Sequence, residues 1–144
     1  DPGVQSVRFG APICFEDSFG YLARGFVYLG ADVLVNLTNN AWSRTDSAQI
    51  QHFVSARFRS IENRRSLARS TNSGLTAVID AYGRVTAELP MFEPAALTAE
   101  IPIYDTKELT IYTRYSDWLG KLLLGVSMLI AAALFLRDRD YGRL

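Results

Sequence analysis

The residue best suited to covalent chemistry is Cys14, the only cysteine in the chain. It lies between an apolar, strand-like segment, residues 7–13, and a helix-like segment that begins near Asp17. Backbone N–H groups that are unpaired at the start of a helix stabilise thiolate, the nucleophilic form of cysteine. This position therefore predicts a catalytic nucleophile. The alternative is a buried and inert thiol, which is the commoner role of a lone cysteine.

Other residues that bind metals or transfer protons are few. One histidine, His52, and one cysteine are too few for a soft metal site with the usual number of ligands. We therefore expect no metal and no other cofactor. When positions are counted at 100° per residue, His52 lies opposite the apolar stripe of its helix, which predicts a solvent-exposed side chain. A Cys–His protease is accordingly disfavoured.

The charge balance argues against a nucleic-acid partner. Fifteen basic residues match fifteen acidic ones, and the basic residues are dispersed except at the C-terminus. Hydrophobic residues make up 49% of the chain and charged residues 21%, which predicts one folded globular unit rather than a disordered chain. The chain begins at Asp1 without an initiator methionine or a signal-like stretch, so we expect it to be part of a longer protein.

The first half of the chain has the pattern of a β-α-β unit. Residues 7–13 predict a strand, residues 17–29 a helix and residues 32–37 a central parallel strand. Asp46 and Gln49 resemble a capping box that opens a second helix. The apolar stripe of that helix is expected to pack inward and comprises Ile50, Phe53, Val54, Phe58 and Ile61. Arg57 falls on the same stripe, so we expect it to have a carboxylate partner.

The second half of the globular part has the pattern of an antiparallel meander, with strand-like segments separated by turns. Residues 67–71, 75–81 and 84–89 predict antiparallel strands, and residues 96–103 predict one more. Together with the β-α-β unit these strands predict a layered α/β fold with a mixed sheet. We expect a globular part at residues 1–103 and a linker at residues 104–117 that leads to a membrane segment.

Residues 118–136 predict a transmembrane helix. Nineteen residues span roughly 28 Å as a helix, close to the roughly 30 Å hydrocarbon core of a bilayer. The segment carries one charge, Lys121, near its start, and Tyr112, Tyr115 and Trp118 precede or open it as an aromatic belt would. The alternative is a buried core helix. Residues 137–144 contain Arg137, Arg139 and Arg143, an excess of arginine that predicts a cytoplasmic tail and an outward-facing globular part.

Four motifs in order, followed by an apolar helix, carry a family resemblance. They are residues 13–17 (ICFED), 36–42 (NLTNNAW), 59–63 (RSIEN) and 69–74 (RSTNSG). The chain resembles the C-terminal half of the nitrilase-like domain, with the last membrane helix, of the apolipoprotein N-acyltransferases. The resemblance extends from about Val7 to Leu136. It implies the second half of an αββα sandwich in a bacterial inner membrane, with the globular part in the periplasm.

The resemblance also implies a reaction and its residues. Relatives transfer an acyl chain from a phospholipid to the N-terminal amine of a diacylglyceryl-cysteine lipoprotein, and Cys14 matches their nucleophile. Glu16 resembles a supporting carboxylate, although it is also placed to stabilise a helix N-terminus. The N–H of Phe15 is the expected oxyanion donor. Trp42 resembles a loop tryptophan suited to acyl chains, although a local packing anchor is the alternative. Asn40 stands where many relatives have aspartate, and Phe15 where many have tyrosine.

The base glutamate and the lysine of the family's Cys-Glu-Lys triad lie upstream of the cysteine and have no match in this chain. Its only lysines are Lys107 and Lys121, in the linker and at the bilayer edge. We therefore expect the 144 residues alone to be inactive. Two other classes stay open, namely a membrane-tethered amidase of the nitrilase group that uses water as acceptor, and a non-catalytic membrane-anchored domain.

Overall fold

A computed structural model describes residues 6–104 and 108–141, with side chains described as far as residue 137. The chain divides into two compact units, Asp1–Arg114 and Tyr115–Leu144. The first unit holds a mixed sheet with helices, and the second is largely one long helix.

The sheet of the first unit has five strands among the described residues, in the order β1-β2-β3-β4-β5. The strands are β1 (Phe9–Gly10), β2 (Val33–Asn39), β3 (Ser66–Asn72), β4 (Ala77–Ile79) and β5 (Val85–Glu88). Strands β1, β2 and β3 are parallel, and β3, β4 and β5 are antiparallel. The predicted α/β class and mixed sheet are confirmed.

Four α-helices lie among the described residues, of which the first two connect the parallel strands. They are α1 (Gly20–Tyr28), α2 (Asp46–Asn63), α3 (Ile111–Tyr115) and α4 (Trp118–Tyr141), and a short 3₁₀ helix, Cys14–Ser18, precedes α1. Helices α1 and α2 and strands β2, β3 and β4 contribute the buried hydrophobic core. Its buried members are Ala23, Val27, Leu34, Phe53, Ala56, Leu67, Ala77 and Ile79. Burial of this apolar area is the main favourable term in folding of the unit.

The strand β2 has two chemically different faces. Side chains alternate across a strand, so Leu34, Asn36 and Thr38 lie on one face, and all three are buried. Leu37 lies on the other face and is exposed. The buried face is apolar at its start and polar towards its carboxyl end, where the functional site is found.

Several element boundaries differ from the prediction. The strand predicted at residues 7–13 pairs only at Phe9–Gly10 and through one isolated bridge between Ile13 and Leu37, because Pro12 between them lacks an N–H. The helix predicted at residues 17–29 begins as the 3₁₀ helix and is interrupted at Phe19, whose backbone is extended. Residues 96–103 form no strand, and Pro102 in that segment again lacks a donor.

Helix α2 packs in the orientation opposite to the prediction. Ile50, Val54 and Phe58 are 46%, 43% and 50% exposed, whereas Phe53 is buried. The buried face is mostly polar and comprises Gln49, His52, Phe53, Ala56, Arg59, Ser60 and Asn63. The predicted inward stripe is therefore right for Phe53 but wrong for Ile50, Val54 and Phe58, because the neighbouring elements supply partners for the polar side chains. Arg57 is exposed with the stripe, and its Nε donates to the carbonyl of Gly83 instead of meeting the expected carboxylate.

The second unit contains an apolar helix of membrane-spanning length. Within α4 the stretch Trp118–Arg137 is 20 residues long with a mean hydropathy of 2.2, and none of it is buried. Its length and composition fit the predicted transmembrane helix. Lys107 and Arg143 lie outside the described residues, and the side chain of Arg139 is outside the described side chains. The predicted orientation and domain limits stay predictions.

Candidate active site

The turn that carries Cys14 is held in a strained conformation. We call the 3₁₀ helix Cys14–Ser18 the nucleophile turn. Cys14 has a φ of 52°, in the left-handed region that a residue with a Cβ adopts at a cost of about 1–2 kcal/mol. Its side chain is partly exposed and its thiol is free. Strain of this kind persists where the surroundings over-determine a conformation, and it clusters at functional sites.

Asn36 and Glu16 hold this turn in place. The buried Asn36 amide donates from Nδ2 to the carbonyls of Pro12, at 2.9 Å, and Cys14, at 3.0 Å. Glu16 turns back on the same segment, where its Oε2 accepts a hydrogen bond of 2.8 Å from the N–H of Ile13. These bonds connect the central strand β2 to the turn and fix the direction of the cysteine side chain.

Hydrogen-bond donors converge on the sulfur. The Thr38 hydroxyl lies 3.4 Å from Cys14 Sγ. This bond, followed by one from the backbone N–H of Asn39, lowers the pKa of the Cys14 thiol below its ordinary value. Partial burial and the negative charge of Asp17 oppose the shift, and a bond from the N–H of Phe15 adds to it. The net direction favours thiolate, the form that attacks carbonyl carbon.

A buried ionic cluster lies directly behind the nucleophile turn. Asp17, fully buried, is 2.6 Å from His52 Nε2 through one carboxylate oxygen and 3.0 Å from Arg69 Nε through the other. Both partners are themselves buried. An unpaired charge in such a place would cost several kcal/mol, so the three side chains stabilise one another only as a set.

A pair of buried amides extends the cluster towards the loop at residues 40–45. Gln49 Nε2 donates to the carbonyls of Asn40, at 3.0 Å, and Ser43, at 2.9 Å. Gln49 Oε1 accepts from Asn40 Nδ2 at 2.8 Å, and Asn40 Oδ1 lies 3.2 Å from His52 Nδ1. Gly74 is packed against this pair, because a Cβ there would lie 2.7 Å from Gln49 Oε1.

A cavity of about 370 Å³ opens between the nucleophile turn and α2. Phe15, Asn40, Trp42 and His52 are among its lining residues. Trp42 is 74% exposed and lines this cavity. A second cavity of about 520 Å³ is lined by Arg64, Tyr82 and Tyr104 among others and by no residue of the nucleophile turn. Cys14 itself lines neither cavity, but Phe15 and Ser18 of its turn line the first, which is therefore the candidate substrate site.

The structure brings the predicted site residues together, with one correction. Phe15 and Glu16 lie on the nucleophile turn beside Cys14, and Asn40 and Trp42 line the cavity next to it. His52, predicted to be solvent-exposed, is buried, and both of its ring nitrogens face partners in the cluster. A Cys–His protease mechanism stays disfavoured, because both ring nitrogens of His52 face Asn40 and Asp17 and neither is available to deprotonate Cys14.

Six residues of the site had no assigned role in the sequence analysis beyond membership of a motif, a cap or a helix face. They are Asp17, Asn36, Thr38, Gln49, His52 and Arg69. The sequence offers a signal for two of them. Asn36 and Thr38 are polar residues at alternate positions of an otherwise apolar strand, which places them on one face. Among the described residues no group of three or more His, Cys, Asp and Glu side chains is arranged to hold a metal ion.

Comparison with known proteins points to one family. The family model described as carbon-nitrogen hydrolase matches residues 2–110. The chain is 42% identical to apolipoprotein N-acyltransferase 2 of Treponema denticola over 94% of this chain and 25% of that protein. It is 45% identical to apolipoprotein N-acyltransferase 2 of Treponema pallidum over 78% of this chain and 20% of that protein. The chain thus spans a fifth to a quarter of the length of these relatives.

Solved structures agree on the fold. A variant of the amidase of Nesterenkonia sp. AN1 from the nitrilase superfamily, with acrylamide added at its active-site cysteine, superposes with a TM-score of 0.56. Identity is 18%, over 85% of this chain and 46% of that one. A carbon-nitrogen hydrolase of Helicobacter pylori superposes with a TM-score of 0.52 at 17% identity, over 60% of this chain and 37% of that one. Such low identities establish the nitrilase-like fold alone.

Proposed function

The chain belongs to the carbon-nitrogen hydrolase family, and from that premise we propose that it carries the nucleophile of a phospholipid-dependent N-acyltransferase. The proposed reaction moves a fatty acyl chain from a phospholipid to the N-terminal amine of a diacylglyceryl-cysteine lipoprotein. The observation that carries the proposal is the strained Cys14 with hydrogen-bond donors directed at its sulfur. The similarity to proteins named apolipoprotein N-acyltransferase supports the choice of an acyl acceptor other than water.

Catalysis proceeds in two acyl transfers. The Cys14 thiolate attacks the ester carbonyl of the phospholipid, and the tetrahedral intermediate collapses by breaking the bond to the glycerol oxygen. The proton that the Cys14 thiol lost on forming thiolate returns to the glycerol oxygen, so the lysophospholipid leaves as an alcohol and a thioester remains on the sulfur. The lipoprotein amine then attacks the thioester, loses a proton, and releases the thiolate as the amide forms. The division replaces one difficult transfer by two easier steps.

Residues around the nucleophile have separate roles in this mechanism. The N–H of Phe15 is the proposed donor to the oxyanion of both tetrahedral intermediates, since it lies next to the sulfur. Glu16 supports the site by holding the nucleophile turn through its bond to Ile13. The exposed ring of Trp42 and the ring of Phe15 offer apolar surface to the acyl chain in the 370 Å³ cavity. Asn40 shapes the same cavity, with its amide engaged by Gln49 and His52.

The chain lacks two groups that the family resemblance places upstream of the nucleophile, a base glutamate and a lysine. Proton transfer to and from the reacting amine is thereby left without its base. We propose that the 144 residues alone do not turn over and that the activity belongs to a longer protein. Sustained acyl transfer by the isolated chain would contradict this part of the proposal.

The proposed location is a bacterial inner membrane with the globular unit in the periplasm. The apolar stretch Trp118–Arg137 has the length and composition to cross a bilayer, and the arginines that follow favour a cytoplasmic tail. Phospholipid acyl donors are held in that membrane, and lipoproteins anchored there would present their amine at its surface. Both substrates would then meet at one side of the bilayer.

The experiment searches for the thioester. The chain, extended upstream to the length of its relatives, is incubated with phospholipid vesicles without a lipoprotein acceptor, so that the acyl-enzyme accumulates. Mass spectrometry should find a fatty acyl adduct on Cys14 that hydroxylamine removes, and no adduct in Cys14→Ala. Hydrolysis of a soluble amide without an acyl adduct would favour the amidase alternative. A protein with neither activity would favour the non-catalytic alternative.

A further inference from the structure

A continuous set of buried hydrogen bonds leads from the backbone of the loop at residues 40–45 to His52. Carbonyl oxygens only accept, so the two carbonyls that face Gln49 Nε2 fix the orientation of the Gln49 amide. Gln49 Oε1 must then accept from Asn40 Nδ2, which directs Asn40 Oδ1 at His52 Nδ1. The orientation of every amide in the set follows from the backbone at its beginning.

This network assigns hydrogen to both nitrogens of His52. Nδ1 faces the acceptor Asn40 Oδ1 at 3.2 Å, so it donates. Nε2 faces Asp17 Oδ1 at 2.6 Å, and the other oxygen of this carboxylate already accepts from Arg69. A carboxylate paired with arginine is ionised and accepts from Nε2 as well. Asp17, from the nucleophile turn, and Arg69, from β3, are the charged groups that this network brings to the histidine.

Thr38 connects the network to the nucleophile. Its hydroxyl has one hydrogen and two acceptors within reach, Cys14 Sγ at 3.4 Å and Asn40 Oδ1 at 3.4 Å. While His52 donates to Asn40 Oδ1, that oxygen already has a donor, and the Thr38 hydrogen goes to the thiolate, which is the stronger acceptor. Without the His52 donor, Asn40 Oδ1 would be a buried acceptor in need of a donor, and Thr38 is the group placed to supply it.

We propose that His52 is a positioning residue that acts on Cys14 through Asn40 and Thr38, directing the Thr38 hydrogen to the thiolate. The inference rests on the proposed function of Cys14 as nucleophile. It separates two contacts of one imidazole: Nε2 pins the nucleophile turn through Asp17, and Nδ1 controls the donor at the sulfur. A merely structural histidine would need only the first.

Two substitutions at His52 separate these contacts. The amide of a glutamine reaches the position of Nε2, and the amide of an asparagine reaches that of Nδ1. His52→Gln therefore keeps a donor to Asp17 and loses the donor to Asn40, whereas His52→Asn does the reverse. Val54→Ala, on the exposed face of the same helix, is the matched control.

The readout is the rate of alkylation of Cys14 by iodoacetamide as a function of pH, located by mass spectrometry, in the chain extended upstream to the length of its relatives and held in detergent micelles. We expect the midpoint to lie below that of an ordinary thiol in the unsubstituted chain, in His52→Asn and in Val54→Ala. In His52→Gln the midpoint should rise, and alkylation at pH values below both midpoints should slow about tenfold for each unit of the rise. Unchanged behaviour of His52→Gln would overturn the inference while leaving the nucleophile in place. An ordinary midpoint in the unsubstituted chain would instead overturn the proposed function.

Substitutions at Thr38 provide a second test of the proposal. Thr38→Val removes the hydroxyl and should raise the midpoint, and Thr38→Ser should restore it. Because the effect of His52 passes through this hydroxyl, His52→Gln should add nothing in the Thr38→Val background. Additive shifts would contradict the proposal.

A measurement on the unsubstituted chain covers the case in which a His52 variant does not fold. Nitrogen-15 NMR distinguishes an imidazole with hydrogen on both nitrogens from either neutral tautomer. We expect hydrogen on His52 Nδ1, as its contact with Asn40 Oδ1 requires. A bare Nδ1 would overturn the proposal, since the Asn40 oxygen would then lack the donor on which the argument depends.

Discussion

Helices α1 and α2 bury opposite kinds of surface against the same sheet. Helix α1 buries Ala23 and Val27 in the hydrophobic core. Helix α2 contributes Phe53 and Ala56 to that core, but its buried face also carries Gln49, His52 and Arg59. Its exposed face presents the apolar stripe Ile50, Val54 and Phe58, defined here as the outer stripe.

The polar inner face of α2, which α1 lacks, marks the helix that supports the functional site. Burial of polar side chains is costly unless each finds a partner, and the partners here come from the nucleophile turn and from the ends of β2 and β3. Helix α1 has only packing to perform, whereas α2 supplies hydrogen bonds to the segment that carries Cys14. The stability of the site and the chemistry of the site are therefore coupled through the inner face of α2.

The largest expected effect comes from breaking the ionic cluster behind the nucleophile turn. Asp17→Ala leaves Arg69 and His52 buried without their carboxylate, which should lower the free energy of unfolding by about 3–5 kcal/mol. Denaturant unfolding followed by circular dichroism in detergent micelles measures the loss. Asp17→Asn, whose single amide oxygen keeps an acceptor for one of the two partners, should lose less. A loss below about 1 kcal/mol in Asp17→Ala would contradict the coupling of α2 to the nucleophile turn.

A second carboxylate–arginine pair sharpens the comparison because its arginine is in solvent. Asp80 is buried but Arg84 is 72% exposed, and Asp80 also accepts from the N–H groups of Tyr82 and Arg84. Burial alone would raise the pKa of Asp80, but these hydrogen bonds and the charge of Arg84 outweigh it and lower the pKa. Asp80→Asn should therefore cost about 1 kcal/mol at neutral pH, less than Asp17→Ala.

The pH dependence of that pair has a definite sign. A carboxyl whose pKa is lower in the folded than in the unfolded state stabilises the fold above its ordinary pKa of about 3.9. The stabilisation is lost as the pH falls through the folded pKa. Unfolding measured from neutral to acidic pH should therefore show the difference between the unsubstituted chain and Asp80→Asn shrinking below about pH 4. A difference that grows on acidification would contradict the hydrogen-bond account.

The sequence predicted more of the fold than of the site. The α/β class, the β-α-β unit, the antiparallel meander and the long apolar helix follow from local periodicity and are present. The 3.6-residue period of α2 is also correct, but it does not tell which face is buried. The inward face is decided by partners of its polar side chains, and these partners lie far away in sequence. Asp17 and Arg69, which decide the matter, are 52 residues apart.

The nucleophile itself was identifiable, whereas its support was not. Cys14 is unique in the chain and lies where a strand-like segment meets a helix-like one, so local pattern suffices to find it. The role of His52 depends on three elements that converge on it in space, namely the nucleophile turn, the loop at residues 40–45 and β3. Helical geometry alone predicts an exposed His52, because an amphipathic helix usually buries its apolar face.

The smallest expected effect tests that assumption directly on the outer stripe. Phe58→Ser removes an aromatic side chain that is half exposed, so the free energy of unfolding should change by about 0.5 kcal/mol or less. Phe53→Ala, on the buried face of the same helix, should cost about 3–5 kcal/mol by leaving a cavity. The contrast between two phenylalanines five positions apart separates orientation from residue type, because periodicity predicted both to be inside. If Phe58→Ser costs as much as Phe53→Ala, another surface covers the outer stripe in solution, and the polar face of α2 is then only one of its two buried faces.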